Sequence, residues 1–231
     1  MHKILVFDLD GTLTPLGKGM TVGDVEKLRA LERTGYRIAV CSGKPTYYLC
    51  GFLRQIGLDA PIMVGENGAV FQFGVDLPPR TYFTHPYPTP VRENLKTLRQ
   101  LIDEACGDRV WYQPNEIGLT PFVMDEGVFD EILAVLDAHR ELLEGITVYR
   151  HVDCFDLTPE NISKGSGLAY LADYMGLIAG DFIAIGDGFN DVPMFEFADL
   201  SICVGGKLDH PTDYKFHTIG QALDYLLKEK P

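Results

Sequence analysis

The sequence predicts an α/β protein, with a parallel-sheet core interrupted by an inserted α+β domain. Two observations carry that reading. Apolar strand-like runs alternate with helical patterns at both ends of the chain, the rhythm of a parallel sheet with helices on its faces. Between them the pattern changes to helices separated by pairs of strands on short turns. The chain's 231 residues suffice to bury one large core or two small ones.

Lys3-Ile4-Leu5-Val6-Phe7 is an apolar run of the kind that forms a buried parallel strand. It leads into Asp8-Leu9-Asp10-Gly11-Thr12. Side chains two apart on an extended chain point the same way, so Asp8 and Asp10 leave the strand aimed at one spot. Gly11 permits the sharp turn that follows, and Thr12 is placed to hydrogen-bond across it. Thr21 caps a helix from Val22 to Arg33, with Val22, Val25, Leu28 and Leu31 at helical spacing, and Gly35 closes it. Arg37 to Cys41 is a second buried strand, ending in Ser42-Gly43-Lys44-Pro45. A helix follows to Ile56, stopped by Gly57. Pro61 to Val64 is a third strand, and Glu66-Asn67-Gly68-Ala69 turns the chain into a hairpin of Val70 to Phe73 against Thr81 to Phe83.

The change comes at His85-Pro86-Tyr87-Pro88-Thr89-Pro90, whose prolines make a stiff linker. Thr89-Pro90 fits an N-cap followed by proline at the first helical position. The helix that follows carries Val91, Leu95, Leu98, Leu101 and Ile102 on one stripe. Strands from Arg109 to Gln113 and Glu116 to Met124 join at Pro114-Asn115. A helix from Val128 to Leu143 and two strand-like stretches between Ile146 and Leu157 complete the insert. This α-β-β-α-β-β order predicts an antiparallel sheet with two helices on one face. By alternation Arg109, Trp111 and Gln113 share one side of their strand, while Val110 and Tyr112 pack under the helices. The expected division is a core of 1–83 and 155–231 around an inserted domain of 84–154. In the second core segment Ser163 caps a helix over Lys164 to Met175, and Gly176 ends it. Asp181 to Ile185 is a strand running into Gly186-Asp187-Gly188-Phe189-Asn190-Asp191. A short helix, a strand from Ser201 to Val204 and a helix from Thr218 to Lys228 follow.

Thirty-three acidic against 20 basic residues give a net charge of −13, which disfavours nucleic acid and anionic membrane surfaces as partners. A phosphate ester stays admissible as a substrate when a divalent cation supplies the positive field locally. No apolar run reaches the ~18 residues of a membrane span, and nothing at the start resembles a signal peptide. Five cysteines without C-x-x-C spacing, Cys41 and Cys203 among them in apolar runs, point to a reducing compartment, by default the cytoplasm.

Open parallel sheets hold ligands outside the carboxyl ends of their strands. Four candidate groups fall there: the Asp8/Asp10 pair, Ser42, Lys164, and the loop from Gly186 to Asp191. Two carboxylates as close as Asp8 and Asp10 repel unless a cation or a proton sits between them. Lys164 starts a helix, where the dipole disfavours a cation. The carboxylates and glycines of the last loop suit an oxygen-ligand site for Mg²⁺.

These segments, in this order, resemble the four motifs of the haloacid dehalogenase-like phosphatase superfamily. The insert between the second and third motifs is similar to a type-II cap. Gly65-Glu66-Asn67-Gly68-Ala69 and the α-β-β-α-β-β order are similar to the Cof and phosphomannomutase-like branch, and to archaeal-type phosphoglycolate and sucrose-phosphate phosphatases. The resemblance implies a Rossmann-like core and a Mg²⁺-dependent phosphatase of small phosphorylated metabolites. Asp8 would then attack phosphorus and form an aspartyl-phosphate, and Asp10 would serve as general acid and then base. Asp8, the Asp10 carbonyl and Asp187 would hold the metal, with Asp191 a further ligand, direct or through water. Ser42, Gly43 and Lys164 would hold phosphoryl oxygens, with Lys44, Asn67 and Asn190 nearby. Two departures bear on substrate identity. Lys44 stands where that branch commonly has arginine, and Gly205-Gly206-Lys207 replaces its usual Gly-Asn-Ala.

A phosphomutase is the rival from another enzyme class, favoured by an insert that grips a second phosphate. Residues 84–153 hold 13 acidic and 6 basic side chains, poorly suited to that task. The same balance leans toward a neutral sugar or polyol leaving group, unless Arg109 or Arg150 is well placed for a carboxylate. A non-catalytic phosphate-binding protein would be signalled by a missing catalytic carboxylate, and none is missing.

Overall fold

A computed structural model of the protein describes residues 4–206 and 208–229, so Lys3 and Lys207 lie outside the described residues. The chain forms two compact units, Met1–His85 with Ser163–Pro231, and Pro86–Ile162.

The first unit opens with β1 (Ile4–Phe7), every residue of it buried. The helix α1 (Val22–Arg33) is capped by the Thr21 side chain, which accepts from the N–H of Asp24. Then come β2 (Arg37–Cys41), α2 (Thr46–Ile56) with Gly57 as its left-handed C-cap, and β3 (Ile62–Gly65). These three strands run parallel, with Val6 opposite Ala39 and Ala39 opposite Ile62. The hairpin of β4 (Val70–Phe73) and β5 (Thr81–Thr84) extends the sheet antiparallel.

In the second unit α3 (Thr89–Cys106) starts one residue earlier than the Thr89 cap anticipated, with Pro88 at the cap position. β6 (Val110–Gln113) pairs with β7 (Thr120–Val123), and α4 (Glu126–Ala138) is capped by Asp125. β8 (Ile146–Arg150) pairs with β9 (Phe155–Pro159). Single bridges at Leu119–Leu157 and Phe122–Cys154 carry the pairing from β7 to β9. One face of these strands joins α3 and α4 in a core that includes Val110, Leu119, Val123, Ile146, Phe155 and Leu157. Several expectations change here. Residues 116–118 are loop, not strand, with Leu119 a single bridge residue, and α4 stops at Ala138, with Arg140–Leu143 forming a separate 3₁₀ turn. The unit runs to Ile162 instead of ending at 154, because β9 pairs with β8. Arg109 belongs to a turn ahead of β6, so alternation does not govern its direction.

The chain then returns to the first unit through α5 (Lys164–Met175), β10 (Phe182–Gly186), α6 (Val192–Phe197), β11 (Leu200–Val204), β12 (Tyr214–Phe216) and α7 (Ile219–Glu229). Ser163 caps α5 and exchanges hydrogen bonds with Ser166. The eight-stranded order is β12-β11-β10-β1-β2-β3-β4-β5, parallel from β12 to β3. One face buries Leu5, Phe7, Ile38 and Val40 with residues of α1, α2 and α7. The other buries Ile4, Val6, Ala39 and Phe182 with residues of α5 and α6. Alternation along β1 therefore feeds two cores, which is why its whole run is apolar. No helix among the described residues is long and apolar enough to cross a membrane.

Candidate active site

The loops after β1, β2, β3 and β10 and the start of α5 supply every candidate group in the first unit. The backbone N–H of Asp8 donates to the Ile185 carbonyl at 2.8 Å, fixing the strand end against β10. The chain then leaves the extended conformation, with the Gly11 N–H on Thr14 O at 2.7 Å and the Thr14 N–H on Leu9 O at 2.9 Å. Gly11 has φ +95°, and a Cβ there would lie 2.4 Å from Asp187 Oδ2. Conformation and close approach both require glycine at this position. Thr12 Oγ1 donates to Asp187 Oδ1 at 2.8 Å, so its hydroxyl serves the distant loop and not its own turn.

Lys164, 1% exposed, is the first residue of α5. Its Nζ lies 2.5 Å from Asp8 Oδ1 and 2.5 Å from Asp191 Oδ1. Burial acts to lower the lysine's pKa, but Asp8 and Asp191 outweigh it and hold Lys164 above its ordinary value. Asp8 is raised as well, which for a carboxyl disfavours the charged form. Burial raises it to about 6, opposed by Lys164 and assisted by Asp191 and Asp187. Asp187 is also raised, first by burial and further by Asp191, against the hydrogen bond from Thr12. Asp191 Oδ2 accepts from the backbone N–H groups of Asp187 and Gly188, both at 2.9 Å. Carboxylate oxygens of Asp8, Asp187 and Asp191 lie within 4.8 Å of one another.

Three carboxylates against one lysine form a site that a further cation would relieve, and an all-oxygen donor set suits Mg²⁺. Lys164 takes one oxygen of Asp8 and Thr12 one of Asp187, while both oxygens of Asp191 are engaged. Asp8 and Asp187 are therefore the pair suited to direct coordination, and Asp191 holds Lys164 and the loop. Asp10 is not in this group; its carboxylate lies 3.8 Å from Lys44 Nζ. Asp10 follows the end of β1 at Phe7, so alternation along the strand does not govern where its side chain points.

Ser42 is buried, with its N–H on Val64 O at 3.0 Å and its Oγ accepting from the Lys44 N–H at 3.2 Å. The Asn67 N–H donates to Ser42 O at 3.0 Å, and the Asn67 amide lies against Gly43. Asn67 has φ +56°, and its Oδ1 is buried without a hydrogen-bond partner. Ser42, Gly43 and Asn67 thus come together, whereas Asn190 stays exposed in the turn Phe189–Asp191. The thiol of Cys41, beside Ser42, is pushed up to about 12 by burial, which removes it as a nucleophile near neutrality.

The sequence reading overlooked the glycines that bring these parts together. A Cβ on Gly68, at φ +105°, would lie 2.3 Å from Ser163 O, and one on Gly167 would lie 2.4 Å from Gly68 Cα. A Cβ on Gly165 would lie 2.3 Å from Pro193 O. The first turn of α5 therefore fits against the 66–68 turn and α6 with no room for side chains. The available signal was the pair of glycines in Lys164-Gly165-Ser166-Gly167, which cost helix stability.

Comparison with known proteins agrees with this geometry. The family model of the haloacid dehalogenase-like hydrolases matches residues 5–76 and 111–210. A phosphoglycolate phosphatase of Methanoculleus marisnigri is 30% identical over 216 residues, covering 88% of this chain and 84% of its own. A Thermotoga maritima protein of known structure superposes with a TM-score of 0.79 at 18% identity, over 99% of this chain and 97% of its own. A HAD subclass IIB sugar phosphatase does so with a TM-score of 0.69 at 19% identity, over 97% and 98%. These two likenesses bear on the fold, and they match the Rossmann-like core expected from the sequence. The chain belongs to the haloacid dehalogenase-like hydrolases and is an enzyme of the phosphatase kind that these relatives represent.

Proposed function

We propose that this phosphatase hydrolyses small phosphorylated metabolites, of the sugar phosphate or phosphoglycolate type, through an aspartyl-phosphate on Asp8 and with Mg²⁺ as its cofactor. The observation that carries the reading is Asp8 itself, a buried carboxylate gripped by Lys164 beside Asp187 and Asp191. Asp8 attacks phosphorus, forming an O–P bond as the ester O–P bond breaks. Asp10, on a separate and more exposed side chain, gives its proton to the departing alkoxide. It then takes a proton from the water that attacks the aspartyl-phosphate, releasing phosphate and restoring both carboxyl groups. Lys164 keeps the Asp8 carboxyl below the pKa that burial alone would impose, and Ser42, Gly43 and Asn67 form the wall that receives the phosphoryl oxygens. Asp8, the Asp10 carbonyl and Asp187 would hold Mg²⁺, which when bound would offset the repulsion between nucleophile and phosphate. The inserted unit is the type-II cap in this reading.

The test is phosphate release from a panel of phosphate esters and p-nitrophenyl phosphate, with Mg²⁺ and with EDTA. Metal-dependent turnover that disappears in Asp8→Asn at equal folded fraction is the expected result. Turnover persisting in Asp8→Asn, or in EDTA, overturns the scheme.

A further inference from the structure

The end of the sheet remote from Asp8 holds a cleft of about 380 Å³ that the proposed chemistry does not use. It lies where β1 and β2 begin, with Ile4 opposite Arg37 in the register. Met175 and Leu177, at the end of α5, and Ala60, ahead of β3, complete its apolar walls. All of these residues belong to the first unit.

Arg37 is the group there that lacks a partner. Alternation along β2 turns it to the face that Ala39 and Cys41 bury under α5. Its Nε is buried without a hydrogen-bond partner. The guanidinium lies over the Phe73 ring, 5.1 Å from the centroid, and a ring supplies no oxygen to accept its N–H groups. Burial pulls the Arg37 pKa down, and no carboxylate holds it up. A guanidinium so placed costs free energy until an acceptor reaches it. The chain has 33 acidic side chains, so this is no shortage of carboxylates.

The charges of the walls narrow the ligand. Arg37 is the one basic side chain among the described residues of the lining, which also includes Glu32 and Asp59. Glu32 is already engaged, accepting from the N–H groups of Asp59 and Ala60 at 3.0 to 3.2 Å. A phosphate dianion would bring two charges to a single guanidinium and face both of these carboxylates. A carboxylate brings one charge, and its two oxygens match the planar fork of an arginine. The apolar walls call for an apolar body behind it. A cavity of about 150 Å³ already accepts benzene, so this cleft has room for a ring and its carboxylate.

We infer that this cleft binds a small monocarboxylate with an apolar body, its carboxylate on Arg37 and its body against Ile4, Met175 and Leu177. The inference stands apart from the phosphatase reading, because none of these residues takes part in the proposed chemistry.

The test titrates the full-length protein with three probes and follows binding by saturation-transfer NMR. Phenylacetate carries both the charge and the body, phenylacetamide has the same shape without the charge, and acetate has the charge without the body. Phenylacetate is expected to saturate with a Kd about tenfold or more below those of the other two. Arg37→Met brings phenylacetate to the level of the amide. Ala60→Phe fills the cleft from an exposed position outside the strands and weakens both aromatic probes. Circular dichroism melts establish that each variant is folded, and if Arg37→Met does not fold, Ala60→Phe and the probe series decide. Equal binding of phenylacetate and either control, undiminished binding in a folded variant, or a signal that never saturates overturns the inference.

Discussion

Replacing Lys164 with methionine tests the electrostatic logic of the site most directly, because it removes the cation that two buried carboxylates share. In the wild type the two partners act on stability with opposite consequences near neutrality. Asp8 has a native pKa of about 6 against an ordinary 3.8. Its contribution is fully present below 3.8 and is lost as pH rises through about 6, a cost of about 3 kcal/mol for holding it ionised. Lys164 is raised above 10.5, so its contribution is fully present below that value and is lost only as pH passes its native pKa. Across the neutral range the lysine thus offsets the carboxylate. In Lys164→Met that offset disappears, the Asp8 pKa climbs further, and Asp191 loses the partner of its Oδ1. Breaking a buried pair by removing one partner costs about 3–5 kcal/mol, a large share of a native stability of about 5–15 kcal/mol. With Lys164 1% exposed, solvent screening does little to reduce that figure. The loss is largest where Asp8 is forced to ionise and shrinks where it can take up a proton. Urea denaturation in EDTA at about pH 8 and about pH 5 therefore gives a larger deficit at the higher pH, growing by up to about 1.4 kcal/mol per pH unit per proton. Amide circular dichroism is the suitable probe, since Trp111 reports on the other unit. A deficit below about 1 kcal/mol, or one equal at the two pH values, would refute the reasoning.

Three further outcomes follow from the same geometry. Mg²⁺ binding to the native state raises stability by about 2.7 kcal/mol at about a hundred times the dissociation constant; Asp187→Ala loses most of this response in calorimetry and, without metal, melts no lower than wild type. Asp10→Asn stays folded and binds Mg²⁺, but single-turnover kinetics show both phosphoryl transfer to the enzyme and release from it slowed, by about 10²–10⁴-fold. Gly68→Ala, which puts a methyl 2.3 Å from Ser163 O at φ +105°, lowers the melting temperature and the turnover number together, whereas Gly74→Ala, with nothing within 4 Å and φ +71°, lowers the melting temperature alone.

The parts of the fold that read correctly from sequence are those in which local chemistry and burial agree. Ile4–Phe7 is apolar throughout because both faces of β1 are covered, and Thr21, Gly57, Ser163 and Gly176 each act where capping rules put them. The parts that misread depend on contacts no local pattern contains. β12 is a three-residue edge strand whose Tyr-Lys-Phe sequence looks like loop until it pairs with β11. Arg109 reads as a strand residue by alternation, but its guanidinium reaches Glu131, 22 positions away. Trp111, by contrast, stays half exposed as alternation along its strand predicts, because Val110 and Tyr112 take the side under the helices. Within the site, Asp8, Lys164 and the loop carrying Asp187 and Asp191 were legible by position. The division of labour between Asp187 and Asp191 was not, since it depends on which oxygens the backbone of residues 187 and 188 has already taken.

The cost of assembling the site is concentrated in one turn of helix. Lys164 sits where the α5 dipole opposes it, and Gly165 and Gly167 weaken the same turn, so on grounds of helix stability this start is a poor one. Each defect answers to a contact. Gly167 lets α5 approach Gly68, Gly165 lets it approach Pro193, and together they drive Lys164 inward until both of its carboxylate partners lie at 2.5 Å. Enlarging either glycine would relieve the helix while moving the lysine away from Asp8. The two effects oppose each other in stability but not in activity. A helix-favouring substitution that gains nothing in stability and loses turnover is the behaviour of a segment shaped by the charge it must deliver. The Asp8 carboxylate is thus set by two segments far apart in sequence, β1 through its position and α5 through its charge.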